Sequence, residues 1–599
     1  MIRKDKVRMA DGTTKTHVRV VKSYRPGPGQ NPKQATLKSF GYLEDAQDPE
    51  RFMEEVALFD REQRTRPRRK THMITIPADM KNNDEANRRL NYGYRFLSSV
   101  YDALGIRSFF DRIPFRGDYS LSDVFEFLVL ERILNPDSKR GTFREIRSFY
   151  NKTYDFSLPD IYRALDKFAE VSLHLQRDLN TKVKHMIGRD ASYAFYDVTN
   201  YYFDTDFSGP EGSYPQKGVS KEHRTSPIVQ LGLFIDSNHL PIAMTVYPGN
   251  TSDTLTLRPA MDEVKENYHL GRIIVVCDKG LNSKANIEHI LSQGDGYVVS
   301  QTLRGSAGKR YHDVLFDPEG YVGNDNVKYK LFTEEYDEKI GKSKTVRRKR
   351  KVLIRWSREE EAFAQRKRQE KIRRANKRLK NNAYTISHKA DEYIKTTNIV
   401  IKTGEVSDGM VNALDDQKIL DEARFDGYFC IITSELEYDH KKILEVYGQL
   451  WRIEESFRIT KSDLETRPMF VRTDKHIEGH LLVCYVALLV IRLLQYHLGY
   501  NEISVNRIKR VLGRLTCRVP SPETVLFDEV GGLLAFKETV DRKGNIVETL
   551  AYDETRDLLR EDHKTIQKAF SVEMDVVATT RDAFNRYLKS IRFKPRKQK

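Results

Sequence analysis

Cysteine is scarce in this sequence, with four residues among 599 and no Cys-x-x-Cys pair. The four, Cys277, Cys430, Cys484 and Cys517, stand far apart in the chain. Their spacing excludes a zinc knuckle and a disulfide framework, and such low usage is typical of the reducing cytosol. We therefore expect four small, buried hydrophobic side chains and a cytoplasmic protein.

Apolar segments long enough to cross a membrane are also lacking. The longest apolar run, residues 481–498, is interrupted by Arg492 before it reaches the ~20 residues of a membrane span. The first residues, MIRKDKVRMADG, contain no apolar core of the kind that signal peptides have. We expect residues 478–498 to form a buried core helix, and we expect no membrane partner.

Positive charge, by contrast, is abundant. Lysine and arginine number 102 against 86 aspartates and glutamates, which gives a net charge of +16 and a pI of about 9.3. A basic surface attracts polyanions, so nucleic acid is the first partner class to consider, although ribosome-associated and membrane-surface proteins share this property. The length predicts about three or four domains.

The segment before residue 190 changes character twice. Residues 1–45 alternate polar and apolar positions around PGPGQNP, which predicts a basic β-hairpin module that either contacts DNA or is simply solvated. Residues 46–84 are highly charged and are predicted to be a linker. Residues 85–190 repeat apolar side chains three and four positions apart, which predicts an α-helical domain.

Short apolar strands begin after residue 190. The pattern through residues 191–301 predicts the order β-β-β-α-β-α-β. Three strands in a meander followed by alternating helix and strand give a mixed sheet, and this order matches a ribonuclease-H-like fold. We therefore predict a multidomain α/β protein with the first part of a ribonuclease-H-like catalytic core at 191–301.

The final helix that this fold requires does not follow at once. Residues 302–426 are predicted to be an inserted, β-rich subdomain with strands near 311–317, 327–336 and 350–357 and one basic helix, Glu359 to Lys380. Residues 427–500 would then complete the core with a strand, a long helix at about 438–462 and the apolar helix. Residues 501–599 are predicted to be mixed and partly helical.

Two aspartates are placed where an α/β sheet holds its ligands. Asp197 lies inside the apolar strand FYDVT, where an unpaired carboxylate is costly to bury unless a cation or partner neutralises it. Asp278 ends the strand RIIVVCD, and sites in open α/β sheets lie at the carboxyl ends of strands. Taken singly, Asp197 could instead accept a backbone hydrogen bond, and Asp278 could simply begin a loop.

A third acidic residue lies on the predicted helix at 438–462. Tyr447, Glu454 and Lys461 are seven residues apart, so on an α-helix they share one stripe ~21 Å long. Such a stripe suits a helix beside a phosphate backbone, although an ordinary amphipathic helix has the same spacing. Three carboxylates from separate elements suit two Mg²⁺ or Mn²⁺ ions ~3.5–4 Å apart. No cluster of histidine and cysteine in the sequence competes for the metal.

The segment YGQLWRIEESFRITKSDLETRP closely resembles the Tyr-x2-Arg-x3-Glu-x6-Lys signature of DDE transposases of bacterial insertion sequences, in the insertion-sequence family numbered four. FYDVTNYYFD, KGVSKEHR, VYPGNTSDTLTL and VVCDKGLNS resemble the same family in the same order, and the resemblance spans about 190–500.

The resemblance implies a catalytic and metal-binding triad of Asp197, Asp278 and Glu454. Tyr447 and Lys461 would contact the DNA backbone near the cut end. The signature's arginine is Leu450 in this chain, and the resemblance leaves Arg452 or Arg458 to supply that charge.

The resemblance also implies a function. The protein would bind terminal inverted repeats as a homodimer on paired ends, cleave them, and join them to target DNA in a bacterial cytoplasm. A structure-specific nuclease of the same fold and an inactive DNA-binding protein are the alternatives.

Further candidates for DNA contact lie near these motifs. A basic loop contains Lys217, Lys221, His223 and Arg224, which either grip DNA or are solvated. The only tryptophans, Trp356 and Trp451, would either hold a flipped base, as aromatic residues do in relatives, or pack in a core.

Overall fold

In the computed structural model of this chain, two compact units are present: Met1–Gly188 with Arg458–Lys599, and Arg189–Phe457. The structure describes residues 1–9, 11–24, 31, 33–65, 84–206, 208–221, 224–268, 270–340, 344–380, 393–398, 410–528, 534–540, 546–552 and 554–595. This division differs from the predicted one, because the apolar helix assigned to the second part of the core belongs to the unit that contains the N-terminal helices.

Strands and helices both occur throughout the described part of the chain. The strands are β1 (Ile2–Arg8), β2 (Thr14–Tyr24), β3 (Lys33–Tyr42), β4 (Leu90–Asn91), β5 (Tyr193–Tyr202), β6 (Ile228–Ile235), β7 (Pro241–Pro248), β8 (Ile274–Cys277), β9 (Gly296–Gln301), β10 (Val322–Gly323), β11 (Val327–Ile340), β12 (Lys344–Ser357), β13 (Ile394–Asn398), β14 (Met410–Leu414), β15 (Tyr428–Thr433), β16 (Thr516–Ser521), β17 (Thr524–Phe527), β18 (Leu534–Val540), β19 (Ile546–Tyr552) and β20 (Ala578–Thr580). The helices are α1 (Pro49–Thr65), α2 (Asp84–Asn87), α3 (Tyr94–Ala103), α4 (Ile106–Asp111), α5 (Leu121–Leu134), α6 (Lys139–Arg144), α7 (Leu158–Glu170), α8 (Ser172–Ile187), α9 (Asp253–Tyr268), α10 (Lys284–Ser292), α11 (Gly305–Gly308), α12 (His312–Phe316), α13 (Arg358–Lys380), α14 (Asp416–Ala423), α15 (His440–Gly448), α16 (Trp451–Arg458), α17 (Asp474–Leu498), α18 (Val505–Arg514), α19 (Glu554–Ala569) and α20 (Arg581–Ser590).

The N-terminal module is larger than the predicted hairpin. Strands β1, β2 and β3 form an antiparallel meander, and β19 adds to β3 in a five-stranded sheet. Helix α1, which falls inside the predicted linker 46–84, packs on this sheet through Val56, which is fully buried against Val18 and Val20. The prediction of a linker is wrong for these residues, because only one side of α1 is apolar and its many charged residues hide the helical pattern. Residues 66–83 of the predicted linker lie outside the described part.

Helix α17 forms the centre of the first unit. It is long and apolar enough to cross a membrane by length and composition alone, but 94% of its most apolar window is buried inside the unit. It packs against α7, α5 and α3. Gly479 meets the backbone of Leu165 on α7 so closely that a Cβ at this position would overlap it. Arg492 is fully buried and donates to Gln495 Oε1 at 2.8 Å. The prediction of a buried core helix is confirmed.

Lys139 is a buried amine in this unit. Its Nζ lies 2.9 Å from Nδ1 of His480 on α17, and the residue is only 4% exposed. Burial lowers the pKa of Lys139 to about 7, and the positive charge of Arg132 acts in the same direction. Cys484 opposes this lowering. The folded chain therefore releases a proton from Lys139 at a much lower pH than the unfolded chain does.

We expect this proton difference to appear in stability. Between pH 7 and the unfolded value of 10.5, the unfolded chain binds a proton that the folded chain does not, so the free energy of unfolding rises with pH. Relative to Lys139→Met, the wild-type stability should rise by about 1.4 kcal/mol per pH unit across this window and level off below it. Urea unfolding of both proteins at several pH values measures this difference, and a flat difference would contradict it.

The second unit is built on a nine-stranded mixed sheet. Its strand order is β10-β11-β12-β15-β9-β8-β5-β6-β7. Strands β5, β8 and β9 are parallel to one another, and β6 and β7 continue antiparallel from β5. The predicted order β-β-β-α-β-α-β through residues 191–301 is therefore confirmed.

The predicted insertion extends this same sheet instead of forming a separate β-rich body. Strand β12 pairs with β15, and β11 pairs with β12 along its whole length. The basic helix is present as α13. The strand predicted at 311–317 is wrong: Tyr311 ends a 3-10 turn and α12 follows, because Tyr311 and Leu315, four residues apart, both turn inward.

The two faces of the sheet have different roles. Ala194, Tyr196 and Val198 of β5 lie in the core that α9 and α10 help to form. Successive side chains of a strand point to opposite faces, so Asp197 lies on the other face. Helix α15 packs against β8 and β9. Its Tyr447 hydroxyl reaches the Asp278 carboxylate.

The helix predicted at 438–462 is interrupted. Helix α15 ends at Gly448, α16 begins at Trp451, and a π-helical turn, Ile459–Asp463, follows. Between α15 and α16 the amides bond three residues back, as in Leu450 N–H to Tyr447 C=O at 3.0 Å, so the backbone is wound more tightly there. The even spacing of seven from Tyr447 to Lys461 therefore does not correspond to one straight stripe.

Candidate active site

Asp197 lies within β5, beside the end of β8. Its side chain is 29% exposed, and its Oδ1 accepts the backbone N–H of Val198 at 2.7 Å. Its pKa is raised to about 6, first by burial and then by the neighbouring carboxylates of Asp253 and Asp278, against the opposing effect of Lys221. Burial is the largest of these effects, and Lys221 lowers the pKa by more than either neighbouring carboxylate raises it.

Lys221 lies beside Asp197. Its Nζ lies 4.0 Å from Asp197 Oδ1 and 3.7 Å from Asp253 Oδ2, and it donates to the carbonyl of Val198. The residue was predicted as a DNA contact, and the structure places it between two carboxylates. Asp253 was missed because an aspartate that begins a helix usually caps it, and only the fold brings α9 beside β5.

Asp278 directly follows β8, and two hydroxyls hold its carboxylate. Ser300 Oγ donates to Asp278 Oδ1 at 2.7 Å, and the hydroxyl of Tyr447 lies 3.3 Å from the same oxygen. Burial raises the pKa of Tyr447, and the negative charge of Asp278 acts in the same direction. Asn282 donates to the carbonyl of Ser300 at 2.8 Å and so supports this arrangement from behind. The sequence contained no signal for Ser300.

Glu454 lies on α16 with an exposed side chain. The structure brings Asp197 and Asp278 together across parallel strands. Within the described ranges, however, no group of three or more His, Cys, Asp or Glu side chains is arranged to hold one metal ion. Asp197, Asp278 and Glu454 belong to the same compact unit.

The residues around Glu454 show how the structure accommodates Leu450 at the position of the signature's arginine. Leu450 is 9% exposed and forms part of the core, so a side chain at this position points away from solvent. Arg452 donates to the carbonyl of Ser237 in the β6–β7 turn. Trp451 is 52% exposed and lies edge-on to His239 at 5.6 Å, so the core role predicted as one alternative is wrong for it.

The other predicted contacts occupy several elements. Lys217 is exposed in the loop before β6, and the guanidinium of Arg224 stacks on the ring of Tyr202 at 3.8 Å. Trp356 on β12 is half-buried, with Lys328 Nζ 5.7 Å from its ring. His223 lies outside the described residues.

Arg458 and Lys461 belong to the first unit. Lys461 lies in the π-helical turn that follows α16. Arg458 Nη1 lies 3.2 Å from Asp463 Oδ2.

All four cysteines are free and buried. The prediction of small buried side chains is confirmed, and none of the four takes part in the site.

Comparisons with known families identify two segments. Residues 204–490 match the family described as "Transposase DDE domain", and residues 2–68 match the "IS1634 family transposase, N-terminal domain". The first match includes Asp278 and Glu454 and begins just after Asp197. The second names a different insertion-sequence family from the one the signature predicted.

Two solved structures resemble the chain only weakly. One is the piggyBac transposase synaptic complex with hairpin DNA, at 10% identity and a TM-score of 0.30, covering 74% of this chain and 82% of that one. The other is the Mos1 transposase paired-end complex with left transposon end, at 10% identity and a TM-score of 0.14, covering 43% of this chain and 68% of that one. No curated protein sequence matches the chain.

Proposed function

The chain is a DNA transposase with a DDE domain, and from this premise we propose that it binds the terminal inverted repeats of an insertion sequence, cleaves the DNA at these ends and joins them to target DNA. The observation that carries the proposal is that Asp197 and Asp278 lie close together at the edge of one sheet, where burial first and, to a smaller extent, the negative charge of Asp278 raise the pKa of Asp197. Such a pair suits a site that takes up divalent cations.

We propose that Asp197, Asp278 and Glu454 hold two Mg²⁺ or Mn²⁺ ions. The carboxylate oxygens are the hard ligands that these ions prefer, and a bound cation would favour the charged form of Asp197, which burial disfavours. When bound, such ions activate the attacking oxygen and stabilise the leaving oxygen of a phosphodiester.

The protein's own groups would orient these ligands. Ser300 and Tyr447 fix the rotamer of Asp278 through their hydroxyls. Lys221 is the positively charged side chain that partly offsets the charges of Asp197 and Asp253. Glu454 lies on α16, whose position is held by Arg452 and Trp451 against the β6–β7 turn.

The fold of the core, the insertion-sequence family, the oligomeric state and the cellular location are also part of this proposal. We assign strands β5 to β9 to a ribonuclease-H-like core, on the strength of their order and directions. The signature from Tyr447 to Lys461 supports the insertion-sequence family numbered four, whereas the N-terminal match names IS1634. We further propose a homodimer on paired ends in the bacterial cytoplasm, associated with the nucleoid when it is bound to DNA.

Basic surface is available for the DNA. Exposed Lys217 lies in the loop that leads to Lys221, and α13 carries its arginines and lysines mostly on its exposed side. We propose that Tyr447, Lys461, Arg458 and Lys217 contact DNA near the cut end, and that binding weakens steeply with salt because phosphate contacts release counterions.

The test uses the inverted repeats that flank the gene. Purified protein, Mg²⁺, a labelled end fragment and a supercoiled target plasmid should give cleavage at the element end followed by covalent end–plasmid products. An unrelated duplex of the same length is the control. Cleavage without joined products would favour a nuclease, and binding without cleavage would favour an inactive DNA-binding protein, so either result contradicts the proposal.

A further inference from the structure

A basic cavity of the second unit lies at the end of β8 and β9, near the acidic pair of Asp197 and Asp278 but on the other face of the sheet. Its volume is about 450 Å³. Hydroxyl and amide groups line it together with four cations and one carboxylate, which are Lys279, Lys284, Arg310, Arg350 and Asp337. These side chains come from three separate parts of the chain, so the cavity exists only in the folded unit.

The cavity is connected to Asp278 by both covalent and hydrogen bonds. Lys279 directly follows Asp278, and Gln301 directly follows Ser300, whose hydroxyl donates to the Asp278 carboxylate. Asn282 donates both to the Ser300 carbonyl and to Gln301 Oε1, at 2.8 and 3.0 Å. Because successive side chains of β9 point to opposite faces of the sheet, Gln301 and the cavity lie on the face of α10, whereas Ser300 and the carboxylates lie on the other face. The cavity and the acidic pair therefore flank the same end of β8 and β9 from opposite sides.

The charges of the cavity are of two kinds. Arg350 is buried and fixed: its Nε donates to Glu334 at 2.7 Å, and its Nη2 donates to the Tyr311 hydroxyl at 2.9 Å. Arg310 also lies near Glu334, at 3.8 Å. The side chains of Lys279 and Lys284 are exposed, and neither ammonium group makes a hydrogen bond or ion pair with any residue that the structure describes. Two ammonium groups are thus available to an anion.

Lys284 also stands where a helix disfavours it. It is the first residue of α10, whose N-terminus carries partial positive charge, so a cation is unfavourable at this position. The amides of this first turn and the lysine instead suit the same negatively charged ligand. The position makes physical sense if the cavity binds an anion.

We propose that this cavity binds a backbone phosphate of the DNA strand that passes the acidic pair. This inference rests on the proposed function. The volume has room for a phosphate with its sugar, and the cationic lining matches phosphodiester chemistry. A strand that crosses the sheet edge would place its scissile phosphate at Asp197 and Asp278 and a phosphate further along its backbone at Lys279, Lys284 and Arg310.

The test compares Lys284→Ala with Lys309→Ala. Lys309 is an equally exposed lysine on the turn before α12, but it does not line the cavity. Affinity for end DNA is measured without metal at a series of salt concentrations. Lys284→Ala is expected to reduce the slope of log affinity against log salt by about 1, whereas Lys309→Ala should leave it unchanged. Equal slopes for all three proteins would overturn the inference.

A second arm identifies the source of the phosphate. Methylphosphonate groups are placed one at a time along the end fragment, and each neutralises one backbone position. One position should weaken binding of the wild-type protein and have no effect on Lys284→Ala. If Lys284→Ala changes only competition by inorganic phosphate, the cavity is a small-anion site and the inference fails. Repeating the titration with unrelated duplex keeps the test valid even if the wild-type protein shows no preference for element ends, a result that would count against the proposed function alone.

Discussion

Asp197→Asn and Asp278→Asn should each abolish DNA cleavage while leaving binding to element ends largely intact. Asparagine keeps the shape of the side chain but removes the charge that a divalent cation needs, and loss of a central catalytic group lowers turnover by about 10³-fold or more. Cleavage of a labelled end fragment under single-turnover conditions measures the loss, and gel-shift titration measures binding.

The melting temperature of each variant is the control that shows whether it still folds. The pKa of Asp197 is raised to about 6 by burial and by its acidic neighbours, so a neutral amide should be accommodated without lowering the melting temperature. Asp190→Asn, close to the start of β5 but hydrogen-bonded to Ser192, is the matched variant and should cleave normally. Retained cleavage by Asp197→Asn or Asp278→Asn would remove that residue from the catalytic assignment.

Glu454→Gln should lose cleavage to the same extent, whereas Glu455→Gln should keep most of it. The two glutamates are adjacent on α16, but they point in different directions because successive residues of a helix are about 100° apart around its axis. The resemblance to the transposase signature selects Glu454, and its side chain is exposed on α16. The same cleavage and binding assays measure both variants.

The comparison of Glu454→Gln with Glu455→Gln is informative because the two substitutions are chemically identical. If Glu455→Gln abolishes cleavage and Glu454→Gln does not, the third ligand is misassigned and α16 is rotated relative to our proposal. If both variants cleave normally, neither glutamate is a ligand, and Asp253, which lies beside Lys221 near Asp197, becomes the next carboxylate to examine.

The sequence predicted the centre of the second unit well, and physical reasons explain where it did not. Strands β5 to β9 have apolar runs of the right length bounded by turns, and these features are local. The addition of β11 and β12 to the same sheet depends on pairing between β12 and β15, residues far apart in the chain, which periodicity does not encode. The amphipathic helix α1 was hidden by its many charges.

The candidate site was predictable only where its residues carry a signal in the local sequence. Asp197 and Asp278 each carried a local signal, because an acid in or after an apolar strand is costly without a partner. Ser300 and Asp253 carried none, since each matters only through the neighbour that folding provides. The break between α15 and α16 was also hidden, because Gly448 and Leu450 fit a continuous helical pattern in the sequence.

The most direct test of the account is to locate the metal. Crystals of the protein bound to element-end DNA are soaked in Mn²⁺, and the anomalous signal is mapped. We expect two peaks ~3.5–4 Å apart, with oxygens of Asp197, Asp278 and Glu454 at bonding distance. Manganese bound elsewhere, or bound at the two aspartates with Glu454 directed to solvent, would contradict the account.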